Sequence, residues 1–216
     1  MQLSAKPCVI ALVLAAGDSI RFGADKRQTK IGRDGLLHLT VKKYLDCCEH
    51  IVVALKKSDQ NKLIQLLPQG LKLREQNRLH YYFVRNASHG MGVSLAEGVT
   101  YIKQHFSADA ILIALGDMPG VKNCTIKQLI GTDIKPDSII GPVIINQQRI
   151  GHPVLFGRNH IHALQALHGD IGARHIIKKN KDEVIRIEVD DIGIYADIDT
   201  PQDILDHKTH AKKWTL

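Results

Sequence analysis

Apolar, β-branched segments alternate along the chain with stretches of helical periodicity, and this alternation restricts the fold more than any other feature of the sequence. The segments expected to form strands are Val9–Leu14, Ile51–Leu55, Tyr81–Val84, Ile111–Leu115 and Ile139–Ile145. Between them, apolar side chains recur on one helical face, as in Leu37, Val41, Tyr44, Leu45 and Cys48 and in Met91, Leu95, Val99, Ile102 and Phe106. Continuous apolar strands joined by crossover helices predict a mostly parallel sheet with helices on both faces, a three-layer, Rossmann-like α/β/α arrangement.

The pattern changes after residue 141. The segments GPVII and GHPVLF, separated by the polar turn NQQR, indicate a β-hairpin, and helices are expected near His160–Leu167 and Ala173–Lys179. No internal repeat and no low-complexity linker divides the chain. We therefore expect one domain over residues 1–216 with two functional halves, about 1–140 and about 141–216.

The net charge limits the classes of partner. A formal charge of +7 and a pI near 9.2 favour a negatively charged partner, which leaves nucleic acid, anionic membranes and phosphorylated metabolites. Aromatic residues make up only 5% of the chain and no RNP-like motif is present, so nucleic-acid binding is not expected. The apolar segment after Lys6 is shorter than the roughly 20 residues that span a membrane. It predicts a buried strand rather than a signal peptide.

The cysteine pattern indicates a reducing compartment. Cys8, Cys47, Cys48 and Cys124 form no CxxC pair and lack zinc-finger spacing. Adjacent cysteines such as Cys47 and Cys48 are also poor candidates for a structural disulfide. We therefore expect a cytoplasmic protein that does not associate with membranes.

The loop that follows the first predicted strand reads LAAGDSIRFGADK, from Leu14 to Lys26. Glycines in such a loop allow backbone N–H groups to approach an anion, and Arg21 and Lys26 add positive charge suited to a polyphosphate. The spacing of a Walker A loop is absent. Since ligands of parallel sheets bind at the carboxyl ends of the strands, the loops after Leu14, Val84 and Leu115 are expected to line one site.

The segment HGMGVSLAEG enters a helix after the third predicted strand. It resembles part of a dinucleotide fingerprint, but Leu95 stands where the third glycine would be. A glycine-flanked helix start still offers N–H groups to a nucleotide, with Gly90 and Gly92 as the candidates. Ser94 is either a residue lining that site or the N-cap of the helix.

Two aspartates are candidate metal ligands. Asp117, in LGDMP, follows a hydrophobic strand, and Asp199 lies in DIDTPQDI. Mg²⁺ is typically held by one or two carboxylates together with substrate phosphates. For Asp199 taken by itself the sequence favours another role, because Asp199 or Thr200 could simply cap a helix whose first turn contains Pro201.

The motifs LAAGDSIRFGADK, GMGVSL, LGDMP, GHPVLF, GDIGAR and DIDTPQD occur in this order between residues 14 and 204. In this combination the chain resembles the molybdenum cofactor cytidylyltransferases, which are MobA-like nucleotidyltransferases. The resemblance implies a nucleotidyltransferase fold and transfer of CMP from CTP to the phosphate of molybdopterin cofactor, with release of pyrophosphate and with Mg²⁺ as cofactor. The first half of the chain would then bind the nucleotide and the second half the acceptor.

The resemblance also implies roles for individual residues. Lys26, Arg21 and Asp117 would be catalytic, and Asp117 and Asp199 would bind the metal. The residues implied to bind the nucleotide are Leu14, Ala15, Ala16, Gly17, Arg21, Lys26, Gly90, Gly92 and Ser94. On the acceptor side the motifs supply His152, Asp170 and Arg174.

Alternative functions are a related nucleotidyltransferase that uses GTP or another phosphorylated acceptor, and a non-catalytic carrier of the cofactor. Lys26 and Asp117 argue against a carrier, because carriage alone does not require them. CTP is favoured over GTP because the first motif reads LAAG, whereas related guanylyltransferases typically have a second glycine. A molybdoenzyme or its chaperone is the protein partner that this interpretation suggests.

Overall fold

The computed structural model describes residues 7–17, 22–23, 25–68 and 77–204, and a seven-stranded sheet lies at its centre. In spatial order the strands are β5 (Leu79–Val84), β4 (His50–Lys56), β1 (Val9–Leu14), β6 (Ala110–Leu115), β8 (Val154–Gly157), β7 (Ile139–Ile144) and β9 (Val184–Val189). All neighbouring strands are parallel except β8, which is antiparallel to both β6 and β7. The predicted α/β architecture with a mostly parallel sheet is confirmed.

Helices cover both faces of this sheet. They are α1 (Leu36–Cys47), α2 (Leu63–Leu66), α3 (Met91–His105), α4 (Asn123–Ile130), α5 (Ile161–Gln165) and α6 (Arg174–Lys179). Short 3₁₀ turns occur at Lys26–Gln28, Lys57–Lys62, Ala87–His89, Arg158–His160 and Ile192–Tyr195, and a two-stranded hairpin is formed by β2 (Lys30–Ile31) and β3 (Asp34–Gly35). Within the described residues, no helix is long and apolar enough to span a membrane.

The period-two pattern of the strands divides the core into two layers. On one face of the sheet, Ala11 and Val13 of β1 pack with residues of α1 such as Val41. On the other face, Ile10 and Leu12 of the same strand pack with residues of α3. Because successive strand side chains point to opposite faces, one continuous apolar run supplies both layers.

The hairpin expected after residue 141 forms only in part. Strands β7 and β8 are antiparallel neighbours, yet their register pairs only Ile139 with Phe156 and Ile140 with Leu155. The chain reverses near the predicted turn, where Gln147 N donates to Ile144 O at 2.8 Å and Asn146 has φ 65°. On the return, Gly151 N donates to Pro142 O at 2.8 Å and Ile150 packs over Gly141. The predicted turn is therefore present, but the residues on either side of it do not join the sheet pairing.

The loops that form the site lie at one edge of the sheet, at the carboxyl ends of its parallel strands. Parallel pairing sets Leu14 of β1 beside Leu115 of β6 at their carboxyl ends. Antiparallel pairing of β6 with β8 sets Ile113 opposite Val154, the first residue of β8. The residues after β1, after β6 and before β8 consequently meet at the same edge.

Candidate functional site

Lys26 lies between two carboxylates at this edge. Its Nζ donates to Asp117 Oδ2 and to Asp199 Oδ1, both at 2.8 Å. Burial opposes the charged form of the lysine, but the two carboxylates outweigh it and raise the pKa of the ammonium above its ordinary value. Lys26 therefore stays a cation and is suited to charge neutralisation rather than to removing a proton.

The segment that carries Asp199 is attached to the loop that carries Asp117. The backbone N–H of Ile198 donates to the carbonyl oxygen of Asp117 at 3.0 Å. Thr200 and Asp203 form a reciprocal capping pair, in which the Asp203 carboxylate accepts from Thr200 N at 2.6 Å and Asp203 N donates to Thr200 Oγ1 at 3.3 Å. Thr200 and Asp203 thus cap residues 201–204, and the Asp199 carboxylate is directed to Lys26 instead.

Further contacts hold the same segment against the Asp117 loop. The buried carboxylate of Asp191 accepts from Lys122 N at 2.8 Å and from the Thr125 hydroxyl at 2.6 Å. Gly193 is so close to Gly120 that a Cβ would lie 2.3 Å from the Gly120 carbonyl oxygen. A larger residue at Gly193 would separate the two loops and with them the two carboxylates.

His152 lies close to Asp117. It stands two residues before Val154, where the β6–β8 pairing ends, and a cis peptide bond joins it to Pro153. Burial lowers the pKa of His152, with the Asp117 carboxylate acting in the opposite direction, so the imidazole is neutral at physiological pH. Nδ1 of His152 and Oδ1 of Asp117 are both buried without a hydrogen-bond partner in the described part of the chain.

The residues of this site fit a divalent metal that is bound together with a substrate. Among the described residues, no group of three or more His, Cys, Asp and Glu side chains could hold a metal by itself. Two carboxylates are nevertheless the typical protein contribution to a Mg²⁺ site completed by phosphate oxygens and water. The unpartnered Oδ1 of Asp117 is available for this role, since a buried oxygen without a partner is unfavourable unless a ligand satisfies it.

The loop after β1 is held by its neighbours on both sides. Ala15 N donates to Ala54 O of β4 at 2.9 Å, and Gly116 N donates to Leu14 O at 2.8 Å. Ala15 and Ala16 are buried, whereas Gly17 is exposed at the start of the loop. Arg21 lies outside the described residues, so its predicted contact with the triphosphate stays a prediction.

A buried arginine that the sequence did not single out supports this loop. The Arg27 guanidinium is 6% exposed and donates to both oxygens of Asp59, at 2.6 and 2.9 Å. It also donates to Asp25 at 2.7 Å and to the carbonyl oxygen of Ala15 at 2.9 Å. Arg27 thereby joins the segment of Lys26 to the β1 loop and to the turn after β4. No local sequence pattern indicated this role, because the partner Asp59 is 32 residues away along the chain.

The glycines of the GMG motif meet the GDIG segment of the second half. Gly92 N donates to Gly169 O at 2.8 Å, and a Cβ on Gly90 would lie 2.4 Å from the Gly169 carbonyl carbon. Gly90 has φ 103° and is the N-cap residue of α3, so Ser94 lies inside the helix and the N-cap alternative for Ser94 is wrong. Asp170 Oδ1 accepts from Met91 N at 3.3 Å, at the start of the same helix.

The structure therefore brings together some of the predicted residues and leaves others apart. Lys26, Asp117, Asp199 and His152 form one constellation. Gly90, Gly92 and Asp170 form a second contact, between α3 and the segment before α6. Arg174 is exposed at the first position of α6. The assignments of nucleotide and acceptor to these groups stay predictions.

Comparison with protein families gives one match. A family model described as the MobA-like NTP transferase domain matches residues 11–184. This range includes residues 11–14 of β1, the Lys26 segment, Asp117 and His152. A search of curated protein sequences gave no significant match.

Solved structures share the fold over nearly the whole chain. A homologue of Mycobacterium tuberculosis Rv0371c from Mycobacterium sp. strain JC1 has 26% identity and a TM-score of 0.78, covering 95% of this chain and 98% of its own. Rv0371c from M. tuberculosis H37Rv in complex with manganese has 21% identity and a TM-score of 0.73, covering 93% and 98%. A nucleotidyl transferase from Methanothermobacter thermautotrophicus has 18% identity and a TM-score of 0.76, covering 96% and 99%.

Proposed function

The chain belongs to the family of MobA-like NTP transferases, and on that premise we propose that it transfers CMP from CTP to the phosphate of molybdopterin cofactor and releases pyrophosphate. The observation that carries the proposal is the placement of Lys26 between Asp117 and Asp199, 2.8 Å from each carboxylate. A cation and two carboxylates at the carboxyl edge of a parallel sheet are suited to a triphosphate bound with a metal.

In the proposed reaction, an oxygen of the acceptor phosphate attacks the α-phosphorus of CTP in line. A new P–O bond forms as the bond to the β-phosphate oxygen breaks, and pyrophosphate leaves with the electron pair. Chemistry of this kind requires positioning and charge neutralisation rather than a covalent protein group. Mg²⁺ held by Asp117 and Asp199 would supply part of that neutralisation.

The protein groups have separate tasks in this proposal. Lys26 neutralises charge that develops on the leaving pyrophosphate, and Arg21 grips the triphosphate. We assign His152, whose neutral imidazole lies close to Asp117, to the acceptor, where it would donate or accept a hydrogen bond. The remaining proposed contacts are made to the nucleotide by Leu14, Ala15, Ala16, Gly17, Gly90, Gly92 and Ser94, and to the acceptor by Asp170 and Arg174.

A divalent cofactor is consistent with the neighbouring structures, one of which is a manganese complex of M. tuberculosis Rv0371c. We propose Mg²⁺ for this chain, a cytoplasmic location, and one domain with a nucleotide half and an acceptor half. A molybdoenzyme or its chaperone would receive the product. A non-catalytic carrier would have no use for a lysine buried between two carboxylates, so catalysis is the better explanation of the constellation.

The test is incubation of the protein with each nucleoside triphosphate, Mg²⁺ and molybdopterin cofactor, with measurement of pyrophosphate release and of product mass. A product heavier by one CMP supports the proposal, whereas a product heavier by one GMP would show that GTP, not CTP, is the nucleotide donor. If pyrophosphate is released only with a different phosphorylated acceptor, the protein is still a nucleotidyltransferase, but molybdopterin cofactor is not its substrate. Absence of any transfer to molybdopterin while another acceptor reacts would overturn the proposed acceptor.

A further inference from the structure

The segment that precedes β8 extends over the edge of the sheet where the Lys26 constellation lies. The β6–β8 pairing ends at Ile113 and Val154, so the residues before Val154 lie at the end of β6 from which the Asp117 loop leaves. Arg149 is three residues before His152 in this segment. It therefore belongs to the chain at this edge of the sheet, whereas Lys26 approaches from the loop after β1.

The backbone around Arg149 is fixed from several directions. Gly151 N donates to Pro142 O and His152 N donates to Ile194 O, both at 2.8 Å. The hydroxyl of Tyr195 donates to the carbonyl oxygen of Arg149 itself. Gly151 also lies so close to Ile194 that a Cβ would be 2.6 Å from its carbonyl oxygen. This part of the segment is thus attached to the same stretch that leads to Asp199.

The side chain of Arg149 is oriented but has no carboxylate partner. Its Cζ lies 4.8 Å from the centroid of the Tyr195 ring, a cation–π contact. Within the described residues no Asp or Glu carboxylate approaches it to salt-bridge distance, and the residue is exposed.

We propose that Arg149, held against Tyr195, binds the phosphate group of the acceptor substrate, a phosphomonoester. This inference rests on the proposed function and extends it to a residue outside the family motifs quoted above. A guanidinium presents several N–H donors in a planar fork that matches two phosphate oxygens. The in-line reaction brings a second anion toward the α-phosphate from the side opposite to the leaving group. An exposed, oriented cation on a segment separate from that of Lys26 meets that requirement.

The first test uses inorganic phosphate as the probe, so it does not depend on the identity of the acceptor. The nucleotide site is filled with a non-hydrolysable CTP analogue and Mg²⁺, and phosphate binding is measured by calorimetric titration. We expect Arg149→Gln to weaken phosphate binding by about ten- to a hundredfold, because a charge-assisted hydrogen-bond pair is lost. Arg149→Lys should retain part of the binding, since the charge remains without the fork.

The matched control is Arg158→Gln. Arg158 is also exposed, but it follows the other end of β8, next to Asp109, with its Nη1 3.6 Å from the carboxylate. This control should bind phosphate as the unsubstituted protein does. Equal phosphate affinity of Arg149→Gln and the unsubstituted protein would overturn the assignment. Failure of the unsubstituted protein to bind phosphate with its nucleotide site filled would overturn it as well.

The second test is kinetic and separates the inference from the proposed function. With molybdopterin cofactor as acceptor, Arg149→Gln should raise the KM for the acceptor by about tenfold or more and leave the KM for CTP and the thermal midpoint unchanged. A rise in the KM for CTP instead would place Arg149 on the nucleotide and overturn the assignment. If molybdopterin is not a substrate while the phosphate titration gives the expected difference, the proposed acceptor is wrong and the role of Arg149 stands.

Discussion

The N–H of Ile198 donates to the carbonyl oxygen of Asp117 at 3.0 Å. This one backbone hydrogen bond places the Asp199 carboxylate next to the loop that follows β6. Because it involves main-chain atoms, substitution of either aspartate side chain leaves it intact. The two carboxylates can therefore be altered singly without moving the segment that carries them.

Asp117→Asn should reduce kcat/KM by about a hundredfold or more while the protein stays folded, by analogy with removal of one preorganised electrostatic group. The amide keeps the shape of the side chain but loses the charge that would retain a metal. The measurement is pyrophosphate release at saturating Mg²⁺, with thermal unfolding to verify the fold. Asp133→Asn, at an exposed position away from the site, serves as the control. Near-normal turnover of Asp117→Asn would reject the metal-ligand role.

Lys26→Met should lower kcat more than it raises the KM for the nucleotide. The substitution preserves length and removes the ammonium that lies between Asp117 and Asp199, where charge is expected to develop on the leaving group. Steady-state kinetics with varied CTP separates the two parameters. The same substitution at Lys30, which is exposed in the neighbouring hairpin, should change neither of them.

Arg27→Met should lower the free energy of unfolding by about 3 kcal/mol, since it leaves the buried carboxylate of Asp59 without its partner. The double variant Arg27→Met/Asp59→Leu should recover part of this loss, because the fully buried carboxylate is removed and only the partly exposed Asp25 loses its partner. Urea denaturation gives the free energies, and Arg33→Met at an exposed position is the control. A double variant as unstable as the sum of the single variants would show that the pair does not act as a unit.

Ala16→Gly should relax a preference for CTP over GTP without inverting it. The Ala16 methyl is buried in the layer that contains Leu95 and Val99 of α3, so its removal opens space at the carboxyl end of β1. One methyl group is worth about 1–3 kcal/mol of discrimination, which is part of the preference only. The measurement is kcat/KM for both nucleotides with one acceptor. The control is Ala114→Gly, buried in the opposite layer, which should leave the ratio of the two kcat/KM values unchanged. A parent protein that uses GTP as efficiently as CTP would contradict the cytidylyl assignment.

Mildly acidic pH should destabilise the fold partly through His80. Burial lowers the pKa of His80, and the neighbouring His50 acts in the same direction. The rings of the two histidines lie 5.7 Å apart and Phe106 packs against both. The ordinary pKa of an imidazole is about 6.5. As the pH falls below it, His80 binds a proton in the unfolded chain more readily than in the folded chain, so the free energy of unfolding decreases.

The corresponding variant is His80→Gln, which should show a smaller decrease in the free energy of unfolding between neutral and mildly acidic pH. His162→Gln, at an exposed position, is the control and should retain the slope of the parent protein. Urea denaturation at both pH values provides the comparison. An unchanged slope in His80→Gln would mean that other groups account for the acid sensitivity.

The central strands were predictable to within about two residues because they are continuously apolar and lie between recognisable helices. Strand β9 was not predicted, since it follows a lysine-rich segment and its outward residues include Arg186 and Glu188. The small β2–β3 hairpin was also missed, because two-residue strands have too few residues for a period.

For the site, residue type and strand position were enough to single out Lys26 and Asp117. The position of Asp199 depends on its neighbours, since Thr200 and Asp203 cap residues 201–204 and the sequence alone leaves the choice of cap open. Arg27 could not be predicted to be buried, because its burial depends on an Asp59 that the fold brings from the turn after β4. Contacts between distant parts of the chain are the information that local patterns lack.

The distance along the chain between Lys26 and Asp199 has a consequence for synthesis. The two residues are 173 positions apart. In the stretch that leads to Asp199, Gly193 packs against Gly120 and the Ile198 N–H donates to the carbonyl oxygen of Asp117. A nascent chain can form β1, β4 and β6 on the ribosome well before that stretch emerges. At that stage Lys26 lacks the Asp199 carboxylate, so the constellation is completed only after the stretch around residue 199 has been translated.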